Sequence, residues 1–236
     1  MTIFSSSDEY RKYNRFTDAA DVCSELMEVF KADINTDTDI KDFDAININY
    51  YCKALNLYGR IMEAQNRFAD AEYYYKKDLV ITTKLAAAYP EDPGYKRALT
   101  ISLANVADIK KAKNDLSGAL TLYEEDLQIS RELADAFPEN PGYKRDLFVS
   151  WFNLSGVYAT REDYKNSLKC VETALLISED LCAQFPQSIQ YLSDLSAILK
   201  LRSLFASLYD GEEAAQSYLA RKEEIDRRIA GLSGKL

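Results

Sequence analysis

The sequence predicts an all-α fold, an α-solenoid of antiparallel helix pairs. Three observations carry that expectation. The chain repeats itself: the segment Tyr89-Pro-Glu-Asp-Pro-Gly-Tyr-Lys-Arg97 recurs as Phe137-Pro-Glu-Asn-Pro-Gly-Tyr-Lys-Arg145, a spacing of 48 residues. Apolar side chains between the copies, such as Trp151, Leu154 and Tyr158, recur at three- and four-residue steps, which is helical spacing and not strand alternation. The five prolines, Pro90, Pro93, Pro138, Pro141 and Pro186, all fall in the joints between units, where a helix has to stop.

Composition narrows the chemistry. The chain has 236 residues, 47% of them apolar and 28% charged, with a net charge of −9 and no histidine. That is a globular composition. Without histidine there is no Ser-His-Asp or Cys-His nucleophile, no imidazole metal site and no histidine base. The acidic balance argues against nucleic acid and anionic membranes as partners. Apolar runs reach about five residues, far short of a membrane span. The N-terminus carries no secretory signal pattern. Cys23, Cys52, Cys170 and Cys182 contain no C-x-x-C pair. They read as reduced thiols of a cytoplasmic protein, with a disulfide or metal site as the alternative.

The elements follow in order. Residues 1–43 form a partial leading repeat and a loop: Asn14-Arg-Phe-Thr-Asp-Ala19 matches Asn66-Arg-Phe-Ala-Asp-Ala71, and the polar stretch 35–42 reads as the loop. Repeat 1 spans 44–91, repeat 2 spans 92–139 and repeat 3 spans 140–187. Repeat 4 with a capping helix spans 188–236, and the whole is one solenoid domain. Asp44, Asp92, Asn140 and Ser188, each one period apart, can accept hydrogen bonds from the free N–H groups that open a helix. In repeat 3 the first helix runs over about 141–160, breaks at Arg161-Glu-Asp, and the second runs over about 164–184. The last helix covers about 212–231. A third copy of the joint persists as Phe185-Pro186 with Tyr191.

These residues resemble the tetratricopeptide repeat, whose signature is W-x2-L-G-x2-Y on the first helix and A-x3-F on the second. Trp151, Leu154, Ser155 and Tyr158 fill the first pattern, and Ser167 and Val171 the second. Earlier units place Leu55, Tyr58, Gly59, Met62, Ala71 and Tyr75, then Leu103, Val106, Ala107, Lys110, Ala119 and Tyr123, at the same positions. The fourth places Leu199, Arg202, Ser203, Ala206, Ala215 and Leu219 there. Gly59, Ala107, Ser155 and Ser203 are expected where paired helices approach closely, facing Ala71, Ala119, Ser167 and Ala215. The chain departs from the family in period, 48 residues against about 34, so each helix is expected to be about two turns longer. Lys110 and Arg202 also stand where apolar side chains are usual.

The resemblance implies a right-handed superhelix whose first helices line a concave partner-binding surface. On that mapping the surface carries Lys53, Asn56, Arg60 and Glu63, then Ile101, Asn105, Asp108 and Lys111. Val149, Phe152, Asn153 and Gly156 follow, then Ala197, Lys200, Leu201, Leu204 and Leu208. Asn105 and Asn153 stand one period apart. An amide both donates and accepts, so the two can hold a peptide backbone; the alternative is that they face solvent or bridge helices. A carboxylate clamp of the kind some relatives use needs charges that Val149 and Asn153 lack, and is not expected. Leu201, Leu204 and Leu208 form an apolar stripe, either exposed as a partner site or covered by the last helix or a rotation at Arg202.

The expected function is therefore protein–protein interaction: a scaffold or adaptor holding a partner peptide or helix, with no catalytic residue, no metal and no cofactor. The alternatives are self-association through the solenoid ends, giving a homo-oligomer, or service as the repeat segment of a larger signalling or catalytic protein.

Overall fold

A computed structural model describes residues 45–234. The leading unit, the Asp44 cap and Cys23 lie outside the described residues. Among the described residues there are eight helices: α1 (Ala45–Ala64), α2 (Phe68–Ala88), α3 (Pro93–Ala112), α4 (Leu116–Ala136), α5 (Pro141–Thr160), α6 (Tyr164–Gln184), α7 (Ile189–Tyr209) and α8 (Glu212–Ser233). First helices start at 45, 93, 141 and 189, and second helices at 68, 116, 164 and 212, so the 48-residue period holds to the residue. Helix lengths of 20 to 22 residues supply the extra turns that the long period requires.

The punctuation works as local chemistry. Asp92 and Asn140 each accept from the backbone N–H of the glycine two residues on, at 2.7 and 2.9 Å, and Ser188 accepts from that of Tyr191 at 3.4 Å. Second helices have their own caps at Asp115 and Asp163, which accept from the N–H groups of Gly118 and Asn166 at 2.9 and 3.2 Å. Each joint is also stapled by a ring pair. Tyr89 meets Tyr95, Phe137 meets Tyr143 and Phe185 meets Tyr191, with centroids 5.2, 5.5 and 5.6 Å apart. This accounts for the third copy keeping its two aromatics while losing the residues between them. The turn inside each of the first three described pairs needs one left-handed residue: Asn66, Asn114 and Glu162 have φ of 60°, 63° and 61°.

The described chain divides into two compact units, one ending at Ile109 and the other starting at Lys110. In the first, α1 packs on α2 through Ile48, Tyr51, Leu55, Ile81 and Leu85. Gly59 is where this pair closes. A β-carbon there would lie 2.6 Å from Cδ1 of the fully buried Tyr75 ring, so the missing side chain makes room for the tyrosine rather than only for Ala71. The Tyr75 hydroxyl donates to Glu63 at 3.0 Å.

In the second unit the core runs through Phe148, Val171, Leu175, Leu192, Ile198 and Phe205, and Ile225 of α8 closes it. Ser155 and Ser167 are both fully buried, and the Ser167 hydroxyl donates to the Ser155 carbonyl at 2.8 Å. Arg145 on α5 reaches Asp194 on α7 through two bonds of 2.7 and 3.2 Å, tying adjacent first helices together. The outer face of α8 is polar, with Glu212, Glu213, Gln216, Glu223, Glu224 and Arg227 exposed.

Candidate functional site

The first helices position the residues that the resemblance assigns to a binding face. In the first unit Lys53 and Arg60 are exposed on α1, and Asn56 is half-buried. On α3, Asn105 and Asp108 are half-buried and Ile101 is exposed. The Asn105 side-chain amide is enclosed and its Nδ2 has no hydrogen-bond partner. A buried amide without a partner is energetically costly in a folded protein.

In the second unit Val149, Phe152 and Leu201 lie partly buried against one core cluster, which brings the faces of α5 and α7 together. The Phe152 ring stacks on Phe148 at 6.0 Å, Asn153 is half-buried, and the space beside Gly156 is open. The leucine stripe divides. Leu201 is packed, while Leu204 and Leu208 are 57% and 69% exposed, so α8 does not cover them. Arg202 does not rotate its helix either. Its side chain is buried, 2.7 Å from Asp210 and 3.7 Å from Glu172, with its guanidinium 4.9 Å from the centre of the Tyr218 ring.

Two polar clusters escaped the sequence reading. Asp78 is 3% exposed, accepts from the Ser102 hydroxyl at 2.8 Å, and lies beside Cys52 and Asn56. Thr82 joins through Ser102 at 3.1 Å. Burial pushes the Asp78 carboxyl up to about 6, and the polar groups of Ser102, Cys52 and Asn56 only partly offset it. Asn56, expected on the binding face, thus also borders a buried carboxyl. One period later Asp126 accepts from Ser130 at 3.2 Å, and Ser130 in turn meets Ser150 at 3.1 Å. The signal was present in the sequence: Asp78-Leu79 and Asp126-Leu127 recur at the repeat spacing, followed by Ala174-Leu175.

Cys52, Cys170 and Cys182 are buried free thiols. Of the run Tyr73-Tyr-Tyr75, Tyr75 is core, Tyr73 is exposed, and Tyr74 packs edge-on to Tyr58 at 4.5 Å. Lys110 pairs with Asp115 at 2.6 Å. Among the described residues no group of three or more His, Cys, Asp or Glu side chains is placed to hold a metal ion. No described helix is long and apolar enough to cross a membrane.

Helix pairs repeated at fixed spacing, with a core continued from pair to pair in the second unit, define a helical-repeat fold of the α-solenoid class. Within that class the fold is TPR-like. It matches the structure of a kinesin-light-chain-type Podosopora anserina protein of nearly identical TPR-like repeats, with a TM-score of 0.61 and 12% identity, covering 94% of this chain and 92% of that one. A structure of MamA aligns with a TM-score of 0.49 and 13% identity over 97% of this chain and 99% of that one. No protein-family model and no curated protein matches the sequence.

Proposed function

We propose that the protein is an interaction scaffold, an adaptor that holds a peptide or helix of a partner protein against its first helices. The observation that carries this reading is the unpartnered Asn105 amide on α3. It stands one repeat before Asn153 on the face assigned to binding. Because Nδ2 is enclosed, Asn105 has to turn its side chain outward to meet a partner backbone, whose carbonyl would then supply the missing acceptor. Lys53, Asn56, Arg60 and Asp108 give the first unit a polar binding face, and Phe152, Leu201, Leu204 and Leu208 give the second an apolar one. No catalytic role and no cofactor is assigned, and a cytoplasmic location suits the free thiols.

The test is affinity capture from native lysate with wild type and the Asn105→Ala, Asn153→Ala double variant side by side. The variant keeps its helical signal and loses at least about tenfold of the affinity for captured proteins, equivalent to about 1.4 kcal/mol. Unchanged recovery overturns the role of the asparagines. Exposed Leu204 and Leu208 favour a second reading, self-association, while the polar outer face of α8 opposes stacking at that end. Solution mass at high concentration separates them: a monomer removes self-association.

A further inference from the structure

One side chain, Asn56, joins the buried carboxyl of Asp78 to the face assigned to binding. Both lie in the first unit, Asp78 on α2 and Asn56 one turn beyond Cys52 on α1. Polar groups from three helices border the carboxyl: Cys52 and Asn56 from α1, Ser102 from α3, and Thr82 of α2 itself through Ser102. All are uncharged at neutral pH, since burial pushes the Cys52 thiol far above its ordinary value. Tyr95 of α3 interacts with Cys52, and burial raises its hydroxyl as well. Among the described residues this combination occurs once. One period on, Asp126 and Ser150 persist but Asn56 becomes Ala104; one further, Asp78 and Ser102 become Ala174 and Ile198.

The hydroxyls of the cluster can serve either state of the carboxyl. With Asp78 ionised, Ser102 donates to Oδ2 at 2.8 Å and accepts from Thr82 at 3.1 Å. With Asp78 neutral, the acid proton on Oδ2 goes to Ser102, which turns its own proton to the Ala98 carbonyl at 3.0 Å. Thr82 then turns to the backbone carbonyl of Asp78, also at 3.0 Å. Oδ1 separates the two states. It is enclosed and has no hydrogen-bond partner, which a neutral acid tolerates better than a carboxylate does. The rise of this carboxyl to about 6 follows the same preference. On ionisation Oδ1 needs a donor. The donors beside the carboxyl on α1 are the Cys52 thiol, a weak one, and the Asn56 amide.

We propose that Asp78 is a proton-operated positioning residue for Asn56 and, resting on the scaffold reading above, for the partner-binding face of the first unit. With Asp78 neutral, the Asn56 amide is available to turn its N–H groups toward a partner. When the proton leaves to solvent, an amide N–H turns inward to Oδ1 and Asn56 presents its carbonyl to the face. The same asparagine thus changes from donor to acceptor as pH rises, and the chemistry offered to a partner backbone changes with it.

NMR of the full chain, titrated from about pH 5 to about pH 8, reads this without a partner. The side-chain amide signals of Asn56, identified by their loss in Asn56→Ala, should shift with one midpoint near 6. The carboxyl carbon of Asp78, identified by its loss in Asp78→Asn, should titrate with the same midpoint. The Asn56 shift should vanish in Asp78→Asn, which stays neutral throughout, and the Asn105 and Asn153 amides should not move in wild type. Asn56→Ala should raise the Asp78 midpoint, because the carboxylate loses a donor. Far-ultraviolet circular dichroism checks that both variants fold, and wild type with either variant decides the matter. Asn56 signals that stay still, Asn56 signals that move alike in Asp78→Asn, or an Asp78 midpoint unchanged or lowered in Asn56→Ala would each overturn the proposal. A flat titration leaves the scaffold reading standing, and a failed capture leaves the titration standing, so the two failures are distinct.

Discussion

Replacing Asp78 by asparagine should stabilise the protein at neutral pH. The wild-type carboxyl titrates near 3.8 when unfolded and at about 6 when folded, because burial penalises its charged form. Its folded-state pKa is raised, so its contribution to stability is fully present below the unfolded value and is lost as pH rises through the folded one. At about pH 7.5 the shift amounts to about 3 kcal/mol. The substituted amide cannot ionise, and its carbonyl can still accept from Ser102. The difference in unfolding free energy, variant minus wild type, should therefore grow by roughly 1.4 kcal/mol between about pH 5 and about pH 7.5 and level off above. Urea unfolding followed by far-ultraviolet circular dichroism reads it, starting above the pI of about 4.8 to keep the chain soluble. Taking the difference cancels the titrations common to both proteins. A difference that is flat with pH would refute the burial argument. One that falls as pH rises would mean that the fold stabilises the carboxylate.

Three further changes test the local account by the same unfolding measurement. Glu162→Asn should gain about 0.5–1 kcal/mol, because asparagine tolerates the left-handed backbone that Asn66 and Asn114 adopt at the equivalent turns. Gly59→Ala should cost about 1–3 kcal/mol, since the new β-carbon meets the enclosed Tyr75 ring. Asn140→Ala should cost about 1 kcal/mol by removing the cap on the Gly142 N–H.

The repeat makes the order and limits of the helices legible in the sequence itself. Proline, the capping residues Asp92, Asn140 and Ser188, and the aromatic joints act within a few residues of chain, so their meaning does not depend on what packs nearby. The residues proposed for the binding face come only from the resemblance to a repeat family. The recurrence of Asp78 at Asp126 was visible in the sequence, but its burial was not, because an aspartate within a helix reads as solvated until Ser102 is known to cover it. The leucine stripe shows the same limit: helical spacing along α7 did not separate packed Leu201 from exposed Leu204 and Leu208.

The central claim is that partners are held by the first helices. Site-specific photo-crosslinking tests it most directly, with a photoreactive phenylalanine at Phe152, Leu204 or Lys53 and a control at Gln216 on the outer face of α8. Heavy adducts with partner protein should form in native lysate from the first three positions and stay at background from Gln216. Adducts no stronger at Phe152, Leu204 and Lys53 than at Gln216 would contradict it.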